Sequence, residues 1–198
     1  MINNINTEYF SESELRRFKF HKIGKNVLIS KSCVIKNCNN ISIGNNVRVD
    51  SYSIILTRKK KVNIGNYVHI GAYSFLGAHM GLTLKSFSGL GQGVKIFTVN
   101  DDYSGESLTN PMTSAKFKKE KNGSVVIGKH VNIGSNSIIL PNVKIGDGAS
   151  IGSFTLVNNN LTGWKIYFGI PAKPLLGRSK KLLEHEKNFL KNEKRKQS

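Results

Sequence analysis

An aliphatic residue, in most units followed by a small one, recurs every six positions along most of the chain. The second half reads IGKHVN, IGSNSI, ILPNVK, IGDGAS, IGSFTL and VNNNLT, starting at Ile127, Ile133, Ile139, Ile145, Ile151 and Val157 without a break in register. Upstream the period returns in triplets: Ile23, Ile29, Ile35; Ile43, Val49, Ile55; Ile64, Ile70, Leu76; and Leu84, Leu90, Ile96. Successive triplets are offset by two or three residues, as extra corner residues require. Six is neither the alternation of a flat strand nor the period of a helix. It fits a short strand plus a tight turn, with the aliphatic side chain pointing inward once per unit. Four positions after most of these anchors stands a second small or aliphatic residue: Val27, Cys33, Val47, Ser53, Val68, Ser74, Val94, Val131, Ser137, Val143, Ala149 and Thr155. One large and one small inward side chain per unit fill a narrow interior, and the small residue after the anchor permits a tight turn. Three units close a triangular coil, and stacked coils make a parallel β-helix with one continuous core.

Two segments interrupt the period. Asn100 to Val125 is far longer than a corner needs, and an excursion of that length in a compact domain is functional or disordered. After Gly163-Trp164 come KIYFGIPAKPLLGR and a basic stretch in which Leu182, Leu183, Phe189 and Leu190 fall near helical spacing. That stretch predicts an amphipathic helix closing the open end of the solenoid, as a repeat stack requires; contact with an acidic membrane is the second reading. Ser11 and Glu14 form a capping-box signature for a short helix at the other end. The organisation expected is an N-terminal helical cap over 1–22, a β-helical domain over 23–178 with a protruding loop at 100–125, and a basic helix or tail over 179–198.

A length of 198 residues is one domain's worth. No apolar run approaches the ~18 residues of a membrane span. The start, MINNINTEYFSESELRRF, lacks the basic and apolar regions of a signal peptide, so a cytoplasmic location is expected. Cys33 and Cys38 are too few for a disulfide scaffold and have no metal-site partners nearby. The formal net charge of +18 changes the picture most, because it points to anionic partners: a phosphate-bearing cofactor, a nucleotide-sugar, an acidic surface or nucleic acid. Nucleic acid has only the charge in its favour, without a stacking-aromatic motif or recognition helix, and is not expected. Neither a GxGxxG fingerprint nor a GxxxxGK[ST] loop is present, so hydride transfer and nucleotide hydrolysis find no support.

The hexad run, over roughly residues 23–178, resembles the hexapeptide-repeat acyltransferases, in particular the maltose/galactoside and polysaccharide O-acetyltransferases. The resemblance implies an all-β, left-handed parallel β-helix, an exception to the right-handed crossover rule. It also implies a homotrimer with sites between subunits and acetyl-CoA as acyl donor. In the family's sugar O-acetyltransferases an aliphatic-aromatic-Thr-x-x-His-Pro stretch precedes the long loop. The matching stretch here is Ile96-Phe97-Thr98-Val99-Asn100-Asp101-Asp102-Tyr103, which places Asp101 where the catalytic histidine stands. A carboxylate of pKa ~3.9 is a weaker base than an imidazole of ~6.5. Three accounts follow: Asp101 or Asp102 acts as base with a pKa raised between subunits; His79, on the coil below the loop, supplies the base; or the acceptor is an amine that needs little help. Of the other histidines, His21 and His185 read as surface, His130 as structural, and His69 as a corner residue with no charged partner.

The resemblance carries acetyl-CoA contacts onto Ser135, Ser153 and the Asn158-Asn159 pair, where many relatives have Thr-Lys. Lys173, in a GIPAK segment like the family's Gly-Asn-Pro-Ala-Lys terminus, and Arg178 are left as phosphate partners. No metal site is expected. The function expected is O-acetyl transfer from acetyl-CoA to a sugar hydroxyl of a surface polysaccharide or its precursor, the acceptor attacking the thioester directly with backbone amides near Ser135 facing the developing oxyanion. The alternative, motivated by the missing histidine, is N-acetyl transfer to a nucleotide-linked amino sugar. An ice-binding or scaffold β-helix lacks its threonine ladders, and a β-helical carbonic anhydrase lacks its close histidine pair.

Overall fold

Each hexad anchor sits inside a triangular tube. A computed structural model describes residues 8–195; the ends of the expected N-terminal cap (1–7) and of the tail (196–198) lie outside the described residues. Three parallel sheets form the three faces of a β-helix of about seven turns. The anchors stack in register, coil on coil. On the first face Ile23, Ile43, Ile64, Leu84, Ile127 and Ile145 are successive partners. On the second the column is Ile29, Val49, Ile70, Leu90, Ile133, Ile151 and Tyr167. On the third it is Ile35, Ile55, Leu76, Ile96, Ile139 and Val157. Almost all are fully buried, and each such side chain stabilises the tube by roughly 1.5–3 kcal/mol.

Strands of two or three residues leave little room for corners, and the corners are strained. Asn26, Asn46, Tyr67, Phe87, His130 and Trp164 at the first corner, between the first and second faces, have left-handed backbone. So do Tyr52, Tyr73, Asn136 and Phe154 at the second corner, between the second and third. For bulky residues that conformation is costly. Stacking between coils offsets it: Tyr67 on Phe87 at 4.7 Å, Phe87 on His130 at 5.1 Å and Tyr52 on Tyr73 at 5.1 Å. The close approach of coils explains the small residue after the anchor. A β-carbon on Gly134 would stand 2.4 Å from the backbone nitrogen of Ser153.

The two ends are closed differently. Helix α1, Glu12–Arg17, carries the expected capping box, and Leu15 buries against the first coil with Phe10 and Phe20 beside it. At the far end the core is closed by Leu161, Tyr167 and Ala172, within and beside a hairpin of Lys165–Phe168 and Lys173–Gly177. Helix α2, Leu182–Arg195, therefore does not cap the solenoid. It lies along the first corner, with Phe189 edge-on to Tyr67 at 5.2 Å and Glu186 bonded to Lys129 and His130 at 2.6 and 2.8 Å. The aromatic ladder is the reason: it offers α2 an apolar strip along the tube, while the hairpin already covers the end.

Candidate active site

The long excursion leaves the third corner, between the third and first faces. Its root is closed by an antiparallel pair, Val99–Asn100 with Lys121–Asn122, and Val125 is already back in a first-face strand. Directly below lies the turn Ala78–Gly81 of the preceding coil, which carries His79. Thr98 joins the two. It is fully buried, its Oγ1 donates to the Gly77 carbonyl at 2.7 Å, and it accepts from the Met80 amide at 2.9 Å. The threonine of the motif thus ties the loop root, three residues before Asp101, to the residue after His79.

The two aspartates differ. Asp102 accepts from the amide and hydroxyl of Ser104 at 3.0 and 2.7 Å and from the Ser107 hydroxyl at 2.9 Å. These bonds, led by the Ser104 amide, hold its carboxyl down at about 2. It organises the loop and is a poor proton acceptor. Asp101 is half-exposed, and no hydrogen bond or ion pair among the described residues engages its carboxylate. His79 is half-buried. Burial first, then the charges of Arg58 and Lys36, hold its imidazole below the usual value, with Glu120 opposing. Its Nδ1 is buried and has no partner among the described residues.

The residues expected to hold coenzyme A lie on separate edges. Ser135 and Ser153 occupy the same place at the second corner one coil apart, the Phe154 amide donating to the Ser135 carbonyl at 2.9 Å and the Ser135 hydroxyl to Gln92 Oε1 at 3.0 Å. Asn158 and Asn159, bonded to each other at 3.1 Å, are exposed at the third corner above the loop. Lys173 is exposed at the start of the last strand. Arg178 sits at the first corner, where its Nη1 donates to the carbonyls of His130, Gly148 and Ala149 at 2.7, 3.1 and 3.2 Å. It fastens the chain before α2 to the tube, and burial pushes its guanidinium below its ordinary value. No single edge of one chain unites the six.

Three features escaped the sequence reading. His69 does have a charged partner: its Nε2 lies 2.7 Å from Asp50 Oδ2, and Asp50 also takes Arg48 Nε at 2.6 Å. Those residues are 19 and 21 apart from His69 only through the length of a coil, a spacing that becomes informative once the turn length is known. The run Arg58-Lys59-Lys60-Lys61 stands at the third corner one coil below His79. The outer side of the third face is apolar, with Ile54, Leu56, Phe75, Phe97, Ile138, Leu140 and Leu156 half-buried there. Both of the latter were visible as a charge run and as strands apolar at successive positions. Among the described residues no helix is long and apolar enough to cross a membrane.

Known proteins place this geometry. A family model described as bacterial transferase hexapeptide (six repeats) matches residues 124–159. The dTDP-4-amino-4,6-dideoxy-D-glucose acyltransferase of Escherichia coli is 38% identical over 181 residues, covering 91% of this chain and 94% of that protein. The crystal structure of AntD, an N-acyltransferase from Bacillus cereus in complex with dTDP and 3-hydroxybutyryl-CoA, superposes with a TM-score of 0.91 at 40% identity, over 95% of this chain and 99% of that one. A chloramphenicol acetyltransferase of Morganella morganii matches 56 residues at 45% identity, 28% of this chain and 27% of its own. The two long matches run through the loop and both ends of the tube, whereas the short one is confined to a fraction of it. The chain is an acyltransferase and belongs to the hexapeptide-repeat family.

Proposed function

We propose that this acyltransferase moves an acyl group from coenzyme A to the amine of a nucleotide-linked amino sugar. The observation that carries the reading is the free carboxylate of Asp101 at the loop root, where the sugar O-acetyltransferases resembled have histidine. A sugar hydroxyl holds its proton far more tightly than the nitrogen of an amine that has begun to attack a carbonyl. A carboxylate is basic enough for the second task and poorly matched to the first. The relatives that span the chain support the same choice: one acylates a dTDP-linked 4-amino sugar and the other is an N-acyltransferase bound to dTDP and an acyl-CoA. The hydroxyl reading expected from the resemblance gives way on these grounds.

In this mechanism the neutral amine attacks the thioester carbonyl. The C–N bond forms, the C–S bond breaks, Asp101 takes the nitrogen's proton, and the thiolate leaves to be protonated as free thiol. His79 borders the reacting groups through the Thr98 link. Ser135 and Ser153, with Asn158, Asn159 and Lys173, are the residues assigned to the coenzyme. They lie on different edges of one chain, so a site that uses them together forms between copies. The apolar outer third face fits that need: a row of Ile54, Leu56, Phe75, Phe97, Ile138 and Leu140 is covered by a second copy in a homotrimer. A cytoplasmic location, where nucleotide-sugars and coenzyme A occur together, completes the reading.

The test is thiol release from acetyl-CoA and 3-hydroxybutyryl-CoA with a dTDP-linked 4-amino-4,6-dideoxy sugar, free amino sugars and hydroxyl sugars as acceptors. Turnover confined to the nucleotide-linked amine is expected. Turnover with hydroxyl sugars and none with amines would overturn the proposal.

A further inference from the structure

Five cations at the third corner have no role in the reaction described above. Thr57 is buried, and its Oγ1 donates to the Lys60 carbonyl at 2.7 Å while the side-chain Nδ2 of Asn37 donates to the Thr57 carbonyl. That pins a tight turn from which Arg58, Lys59, Lys60 and Lys61 stand exposed. Lys36, also exposed, ends the third-face strand of the coil below. One coil up, Gly81 stands between this turn and the end of the loop: a β-carbon on it would lie 3.7 Å from Lys60 Cβ and 3.7 Å from Ser124 Cβ. Some cations elsewhere on the tube are matched with acids, as in Lys85–Asp147, Lys129–Glu186, Lys31–Glu8 and Arg48–Asp50. Among the described residues none of these five has a carboxylate within ion-pair distance, and Glu120, whose charge reaches His79, is paired with Lys118 at 3.0 Å.

Five like charges on one edge repel one another, and an anion of high charge density among them relieves that repulsion. The anion must be compact and multiply charged, since lysines supply point charges and Arg58 a planar fork suited to phosphoryl oxygens. We infer that the corner formed by Lys36 and Arg58–Lys61 binds the diphosphate of a nucleotide substrate and so delivers its reactive end to the loop root at His79 and Asp101. The inference rests on the reading above, in which acceptor and donor both carry a diphosphate.

Calorimetric titration separates the two sources. Wild type and the double variant Arg58→Gln/Lys60→Gln are titrated with dTDP and, separately, with CoA. Both substituted side chains are exposed, so the fold is kept, which circular dichroism checks. The Kd for one of the two is expected to rise about tenfold or more, as for loss of charge-assisted contacts to a phosphate. A rise for dTDP assigns the corner to the acceptor, and a rise for CoA assigns it to the donor. The control Lys187→Gln/Lys191→Gln removes the same charge from α2 and is expected to change neither. Unchanged affinity for both ligands overturns the inference, as does an equal loss in the control. A wild type that binds dTDP through this corner yet acylates no dTDP-linked amine would sink the proposed reaction and leave the diphosphate surface standing.

Discussion

Removing the hydroxyl of Thr98 separates the role of the loop root from that of the core. Thr98→Val keeps the shape of a fully buried side chain and replaces its hydroxyl by a methyl group. The Gly77 carbonyl retains a partner, because the Thr98 amide also donates to it at 3.0 Å. The Met80 amide does not, since its acceptor was the hydroxyl at 2.9 Å. The cost is one net hydrogen bond plus an orphaned donor, about 2 kcal/mol in all. That cost falls on the turn Ala78–Gly81 rather than on the anchor column. Hydrogen exchange of the Met80 amide is therefore expected to speed up by about thirtyfold, with the Leu76 and Ile96 amides far less affected. Because His79 precedes Met80 and Asp101 follows Thr98 by three residues, kcat is expected to fall while KM for acyl-CoA holds. Thr98→Ser keeps both bonds and loses a buried methyl, about 1 kcal/mol, and leaves kcat near wild type. The opposite order, a harmless valine and a damaging serine, would refute the reasoning and make Thr98 a packing residue.

Asp101→Asn is expected to abolish turnover, whereas Asp102→Asn lowers it only as far as the loop loosens; steady-state kinetics of the pair decide between them, and equal loss in both would count against Asp101 as the base. Gly134→Ala drives a β-carbon to 2.4 Å from the Ser153 nitrogen, so the coils must part at a cost of about 3 kcal/mol, read as a Tm lower by about 6–12 °C. Burial opposes the charge on Glu186, but the bonds from Lys129 and His130 outweigh it, and the folded pKa is lowered. Its contribution to holding α2 is therefore full above the ordinary glutamate value near ~4.3 and is lost as pH falls through the folded one, so proteolysis of α2 is expected to accelerate below about pH 4 and not near pH 6. If the outer third face is covered in the proposed trimer, Leu56→Asp on that face is expected to lower the mass in light scattering toward that of a monomer.

The tube was legible because its information is local and repeated. Each hexad fixes one inward side chain, and an error in one unit is corrected by its neighbours, so the anchors from Ile29 to Val157 sit where the period puts them. The candidate site was legible only as far as it shares that periodicity. Thr98 and His79 follow from the stacking of Ile96 on Leu76. The state of Asp102 depends on serines two and five residues further on, a local turn that the spacing D-x-S already contains. The place of α2 was misread because its partners come from the tube's side. His130 supports the chain before α2 through its carbonyl to Arg178 and α2 itself through its ring to Glu186. Nothing in the sequence announces either contact across separations of 48 and 56 residues. A solenoid fixes the order of its coils by period, but it leaves open which flank a non-repeating segment covers. Here that choice was made by corner residues: Tyr67, Phe87 and His130 stand one coil apart and project a ladder on which Phe189 and Glu186 can settle together. A search for aromatic residues repeating at the turn length, rather than at six, would have found the dock before the structure did.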